Sequence, residues 1–245
     1  MILSVAISTV AILQVSIDAK LMRFPDVTVG KIAFSYGGDI WVVSDQGGVA
    51  RKLTNSPGIE SRPKFSPDGK WIAFTGQYDG NSDVYVMPSE GGEPRRLTYH
   101  PQTDLVMDWS PDGNTIYFVS PRASMKGQVP EAYRVSVQGG TPEKLSLGEC
   151  GALSPSPNGK TFAYNRFSTE NATWKRYRGG LQSWISFYDV EQHRYWEMKH
   201  DNSAYLWPMW IGDTVYYVND SDGIRNLYKY DVKTERQSRI TQYKN

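Results

Sequence analysis

The chain of 245 residues contains a single cysteine, Cys150, and only three histidines. One thiol closes no internal disulfide, so the fold is not a disulfide-stapled scaffold, and cysteine counting leaves the compartment open. Cys150 itself reads as a small, semi-buried hydrophobe. His100, His193 and His200 lie far apart and form neither His-x-x-x-His nor, with Cys150, any other zinc-binding spacing, so no metal and no cofactor are expected. No Gly-x-Ser-x-Gly elbow and no phosphate loop occur. A triad through one of the three histidines has no motif behind it. Net charge is also lacking: 27 Lys and Arg against 26 Asp and Glu leave +1, which gives no electrostatic case for a nucleic-acid or acidic-lipid partner. Helical periodicity is missing outside the N-terminus, and one apolar run, Ile2 to Ile17, is too short for a comfortable membrane span.

That run fits the hydrophobic stretch of a secretory signal, although no Lys or Arg precedes it and Ile17-Asp18-Ala19 is a poor cleavage site. The alternatives are an extra strand or a mis-chosen start codon. Residues 1–19 are expected to be a signal peptide. The mature chain would then be periplasmic or extracellular, without stable membrane insertion; if the segment is not a signal, the chain is cytoplasmic.

What the chain does have is a repeat. The stretch Phe65-Ser66-Pro67-Asp68-Gly69-Lys70-Trp71-Ile72-Ala73-Phe74 returns from Trp109 to Phe118 and, worn, from Pro155 to Tyr164, at spacings of 44 and then 46 residues. Ser-Pro-Asp-Gly is a turn: proline presets φ, Asp bonds its own backbone and Gly accepts the positive φ that follows. A short aromatic and β-branched strand comes next, then a second such strand closed by Gly47-Gly48, Gly91-Gly92 or Gly139-Gly140. A last short strand ends in Lys52-Leu53-Thr54, Arg96-Leu97-Thr98 or Lys144-Leu145-Ser146. Four short strands at this period describe a blade of a β-propeller, so the expected fold is all-β.

Five blades can be counted, near 23–58, 60–101, 103–149, 151–202 and 204–243, so that residues 20–245 form one propeller and no second domain fits. In the first blade Arg23-Phe24-Pro25-Asp26-Val27 takes the part of Arg62-Pro63-Lys64-Phe65, and in the fifth Ile211-Gly212-Asp213 is a shortened turn. Asn165 to Leu181 lengthens the fourth blade. Turn chemistry accounts for Asp68, Asp112 and Asp213, and for Ser154 and Ser156. Asp104 and Asp108 would suit a five-bladed glycosidase but have no partner at a defined spacing. Within the insertion, Thr173-Trp174-Lys175-Arg176-Tyr177-Arg178-Gly179-Gly180 interleaves three cations with two aromatics, a set able to hold a carboxylate, a phosphate or a stacked ring. Its plainer reading is a solvated hairpin extension. The loop from Pro121 to Lys126, with Arg122, is a lesser candidate. The candidate binding cations are therefore Arg122, Lys175, Arg176 and Arg178; catalytic candidates are none.

The repeats resemble the Asp-Gly propeller repeats of the Tol-system periplasmic protein, prolyl-oligopeptidase relatives and tricorn proteases. Two stretches narrow the choice. Arg23 to Val27 leading into Ile32–Val43 resembles the start of the first propeller of tricorn proteases, and Thr173 to Gly180 resembles that propeller's fourth-blade insertion. The resemblance runs from about Leu21 onward. It implies a six-bladed first propeller of a large serine peptidase, noncatalytic itself and guiding peptides or products, with catalytic residues on domains to which nothing here corresponds. It also implies basic residues that hold a peptide's terminal carboxylate, which makes Arg122, Lys175, Arg176 and Arg178 the peptide-binding candidates. Five blades against six suggest an incomplete ring, with peptides or the missing peptidase domains as partners and self-association through open blade edges. Alternatives are a stand-alone periplasmic interaction propeller of the Tol kind and, last, a five-bladed enzyme.

Overall fold

The computed structural model describes residues 21–124, 129–167 and 177–244. The first blade comprises β1 (Arg23–Thr28), β2 (Lys31–Tyr36), β3 (Asp39–Ser44) and β4 (Arg51–Lys52), and the second β5 (Glu60–Phe65), β6 (Trp71–Gly76), β7 (Asp83–Pro88) and β8 (Arg95–Arg96). The third holds β9 (Leu105–Trp109), β10 (Thr115–Ser120), β11 (Glu131–Ser136) and β12 (Glu143–Glu149). The fourth holds β13 (Ala152–Pro155), β14 (Thr161–Asn165), β15 (Ile185–Asp189) and β16 (Arg194–Glu197), and the fifth β17 (Tyr205–Ile211), β18 (Thr214–Asn219), β19 (Asn226–Asp231) and β20 (Gln237–Arg239). Each blade is one antiparallel meander, hydrogen-bonded in chain order, and no helix occurs among the described residues. The all-β propeller of five four-stranded blades expected from the repeat is the fold observed.

The turn chemistry is visible bond by bond. Ser66 Oγ donates to Asp68 Oδ1 at 2.6 Å, the amide of Lys70 donates to the same oxygen at 3.1 Å, and Trp71 N donates to Ser66 Oγ at 3.0 Å. Ser110 and Asp112 repeat the arrangement, and Ser156 repeats it with Asn158. Hydrogen bonds from Ser66 and Ser110 hold the Asp68 and Asp112 carboxyls below their ordinary range. Gly69 has φ +69°, and a Cβ there would lie 2.8 Å from Thr28 Oγ1, so this glycine serves both the backbone and the close approach of the preceding blade. Gly212, in the shortened turn, has φ +59° with nothing within 4 Å.

The Leu-Thr ending does a different job from the one its position suggests. It lies past β4 and β8 rather than in them. Thr54 Oγ1 accepts the amide of Ile40 at 2.9 Å, Thr98 Oγ1 that of Val84 at 3.0 Å, and Thr241 Oγ1 that of Leu227 at 2.9 Å. The threonine pins the start of the third strand where the ladder to the fourth has ended.

Consecutive blades are joined by apolar clusters. At the first two interfaces the earlier blade offers small or branched side chains and the later blade offers rings; at the last two, Tyr117 and Phe187 add a ring from the earlier blade. Ala33, Ile40 and Val42 meet Phe65, Ile72, Phe74, Tyr85 and Met87. Ala73, Val84 and Val86 meet Trp109, Ile116, Phe118 and Tyr133. Val119 and Ala132 meet Phe162 and Tyr164, and Ala163 and Ile185 meet Tyr205, Val215 and Tyr217. Among the described residues no such cluster joins the fifth blade to the first. Phe74 and Ile72 are fully buried, whereas Val27, on the far side of the first blade, is 66% exposed.

A polar belt crosses the inner strands at one register position. Asp26 on β1 accepts from Lys64 Nζ of β5 at 3.0 Å and from Phe65 N at 2.8 Å. Asp108 on β9 accepts from Ser154 Oγ of β13 at 2.9 Å, and that hydroxyl accepts from Trp210 N of β17 at 3.0 Å. Pro155 has no amide to offer where Phe65 offers one, and the Ser154 hydroxyl takes its place. Burial pulls Lys64 down, but Asp26 and Asp108 outweigh it and the ammonium ends above its ordinary pKa.

Candidate functional site: the cationic loop face

The meander topology puts the loops between second and third strands on the same face as the passages from one blade to the next. That face carries Arg122, just after β10, and Arg178, before β15. It also carries the starts of the inner strands, where three non-glycine residues hold left-handed backbone: Phe24 at φ 53°, Arg62 at 56° and Trp207 at 54°. Each sits in a register shift between first and second strands. Such conformations cost about 1–3 kcal/mol apiece and persist where surrounding structure fixes them. The bulges re-aim these side chains. The Arg62 guanidinium lies 4.8 Å from the centre of the Phe24 ring, and Arg225 lies 5.5 Å from that of Trp207. Burial pulls Arg62 down to about 10.

Arg122 is held on three sides. It stacks over Phe118 at 5.1 Å and Tyr133 at 5.0 Å, its Nε reaches Ser120 Oγ at 3.3 Å, and its Nη2 bonds the fully buried Asp104. In the second blade Tyr78 occupies the corresponding place, packed on Phe74 and Tyr85 at 6.5 and 4.6 Å, and its buried acid is Glu60. Glu60 Oε2 accepts from Thr54 at 2.9 Å. Desolvation, with the Asp39 charge nearby, raises the Glu60 carboxyl above its ordinary pKa.

Arg178 reaches both oxygens of Asp220, at 3.2 and 3.0 Å, and Asp220 also accepts the amide of Ala204 at 2.8 Å. The end of the fourth-blade insertion is thereby fastened to the fifth blade. Lys175 and Arg176 lie outside the described residues. Arg62 and Arg225 were not among the candidates read from sequence. The signal for Arg62 was its place beside the belt residue in Arg62-Pro63-Lys64-Phe65; for Arg225 there was none.

The other groups weighed from sequence sit elsewhere. Asp104 is paired with Arg122, and Asp108 belongs to the inner belt. Among the described residues no three of His, Cys, Asp and Glu gather as a metal site. His200 stacks on Trp184 at 4.4 Å, His193 pairs with the Tyr188 hydroxyl at 3.0 Å, and His100 Nδ1 accepts from Gln102 N at 3.1 Å. None of these contacts involves a serine hydroxyl. Cys150 is buried, and burial pushes its thiol well up. Two grooves open on the opposite face, one of about 720 Å³ beside Trp71 and Trp109, the other of about 430 Å³ beside Lys31 and Glu90; neither touches the cationic residues.

Comparison with known proteins fits this geometry. Residues 19–245 match the family described as the tricorn protease N-terminal β-propeller domain. A tricorn protease homolog of Saccharolobus solfataricus is 29% identical over 228 residues, which are 90% of this chain and 21% of that protein. A putative tricorn-like protease N-terminal subunit of Sulfurisphaera tokodaii is 27% identical over 164 residues, 64% of this chain and 81% of that one. The crystal structure of the tricorn protease superposes with a TM-score of 0.80 at 24% identity, over 91% of this chain and 22% of that chain. A putative TolB from Agrobacterium tumefaciens shares the fold at a TM-score of 0.73 and 20% identity, over 89% of this chain and 80% of its own. The chain thus spans about a fifth of the Saccharolobus relative, and it belongs to the tricorn protease N-terminal β-propeller family.

Proposed function

We propose that this chain is the peptide-handling propeller of a tricorn-like peptidase: it works with peptidase domains, supplies no catalytic residue, and receives peptides or products on its cationic loop face. The family match over residues 19–245 carries this reading. The relative named as a tricorn-like protease N-terminal subunit supports a propeller that acts as a separate subunit. On the loop face, Arg178 at the end of the insertion, together with Arg122, Arg62 and Arg225, forms the charged border that meets a peptide carboxylate, and Phe24 and Trp207 offer rings to its side chains; Lys175 and Arg176 are assigned the same role from sequence alone. The test is fluorescence anisotropy of labelled tetrapeptides with the purified chain, comparing a free C-terminal carboxylate with its amide. Preference for the carboxylate, weakening with salt and without cleavage, supports the reading; equal affinity for acid and amide overturns the carboxylate assignment.

We propose in addition that residues 1–19 direct export. Mass spectrometry of the protein from its native host checks this: a mature chain beginning near Lys20 in the exported fraction supports it, and an intact Met1 in the cytoplasm opposes it. A second reading, a stand-alone interaction propeller of the Tol kind, is favoured by the 80% coverage of the putative TolB chain. It calls for a protein ligand and no affinity for short peptides.

A further inference from the structure

The two grooves on the face opposite the cationic loops occupy equivalent places at successive blade boundaries, and their chemistry differs. At the first boundary Lys31, which opens β2, ion-pairs with Glu90 in the hairpin after β7, and Arg51 donates to the Glu90 carbonyl at 2.9 Å. Trp71, which opens β6, pairs with Pro88 as Lys31 pairs with Ser44, and Gly139 closes its hairpin as Gly91 closes the preceding one. At the second boundary Trp71 therefore stands in the place of Lys31, and Gln138 in the place of Glu90. The ion pair is gone, and the groove holds about 720 Å³ against about 430 Å³ at the first boundary. Trp71 is 44% exposed, and among the described residues no side-chain hydrogen bond ties down its indole or the Gln138 amide.

Planar polar groups surround the Trp71 ring. Arg95 spends one guanidinium nitrogen on the Val137 carbonyl. Asp112 Oδ1 serves its turn, while its Oδ2 accepts from the Asn114 amide at 3.1 Å, and Asp68 Oδ2 lies 3.4 Å from Lys70 Nζ. Two carboxylates against one guanidinium and one ammonium balance, so the groove favours neither a cation nor an anion. A neutral polyol fits it. A pyranose has an apolar C–H face that covers an indole ring, and its hydroxyls both donate and accept, as neighbouring amide, carboxylate and guanidinium edges require. The volume lies within the range of about 300–1,000 Å³ for small-ligand sites. We propose that the groove between the second and third blades binds a short neutral oligosaccharide, with one ring stacked on Trp71 and its hydroxyls bonded by Asp112, Asn114, Arg95 and Gln138. This site shares no residue with the cationic loop face and does not rest on the peptide reading.

The test is isothermal titration calorimetry of the full chain with maltotetraose, cellotetraose and chitotetraose. At least one is expected to bind one to one, with a Kd of about 1 mM or tighter. Trp71→Ala should weaken that binding about tenfold or more, and Trp71→Phe, which keeps a ring, should weaken it less. Trp71→Lys with Gln138→Glu rebuilds the ion pair of the first boundary and should abolish binding. Both side chains are exposed, so unfolding midpoints should stay close to the parent's, which separates lost binding from lost fold. No binding of any of the three sugars, or binding that survives the double substitution, overturns the site. Tighter binding of acetyl-lysine amide, a cation, that Trp71→Ala removes overturns the carbohydrate assignment.

Discussion

Tyr78 and Arg122 occupy the same place in consecutive blades, each packed on two rings and each facing a buried acid, Glu60 in one case and Asp104 in the other. The repeat conserves the pocket and changes its electrostatics. An arginine pairs with Asp104, whereas Glu60 bonds the Thr54 hydroxyl, and burial holds its carboxyl above the ordinary range. The two buried acids are therefore compensated differently.

Removing the guanidinium should strand Asp104. Arg122→Met is expected to cost about 3–5 kcal/mol in urea unfolding, the scale for leaving one member of a buried pair uncompensated. Adding Asp104→Asn should recover a large part. Equal loss in the single and double variants would show that Arg122 acts through packing alone.

Glu60 gives a pH signature. Its folded pKa is raised, so its stability contribution is complete below the unfolded carboxyl pKa and is lost as pH rises through the folded value. Glu60→Gln should match the parent near pH 4 and become the more stable of the two as pH rises to 7. Unfolding curves at several pH values measure the difference, and a gap that does not change with pH would contradict the assignment.

The inner belt should behave as a unit. Lys64→Met leaves Asp26 and Asp108 facing each other across β5 without a cation, at an expected cost of about 3–5 kcal/mol. Lys64→Met with Asp26→Asn and Asp108→Asn should be less destabilised than Lys64→Met alone. If the losses simply add, the three groups are not coupled.

Two glycines separate backbone from packing. Gly212→Ala should cost about 1 kcal/mol for the left-handed backbone alone. Gly69→Ala should cost more, because the new Cβ also meets Thr28 Oγ1 at 2.8 Å. Thr28→Ala in the same chain should bring the two costs together.

Sequence carried the fold far because each repeat states its own geometry. Ser66-Pro67-Asp68-Gly69 names a turn, and alternation in Trp71-Ile72-Ala73-Phe74 names a strand with one face toward each neighbour. The roles of Thr54 and Thr98 were hidden, because pinning the amides of Ile40 and Val84 depends on a contact 14 residues away. The belt was hidden for the same reason: Asp26, Lys64, Asp108 and Ser154 differ in type and are related only by register. At the candidate site, sequence gave Arg122 and Arg178 as cations but not their buried partners Asp104 and Asp220. The left-handed bulges that aim Phe24, Arg62 and Trp207 have no one-residue signature.

The peptide-handling claim is tested most directly by titrating the purified chain with labelled free-carboxylate tetrapeptides while following both anisotropy and cleavage. The account predicts saturable, salt-sensitive binding, weakened about tenfold by Lys175→Ala with Arg176→Ala if the pair contributes two charge-assisted contacts, and no product. Measurable turnover, or no binding at millimolar peptide, would contradict it.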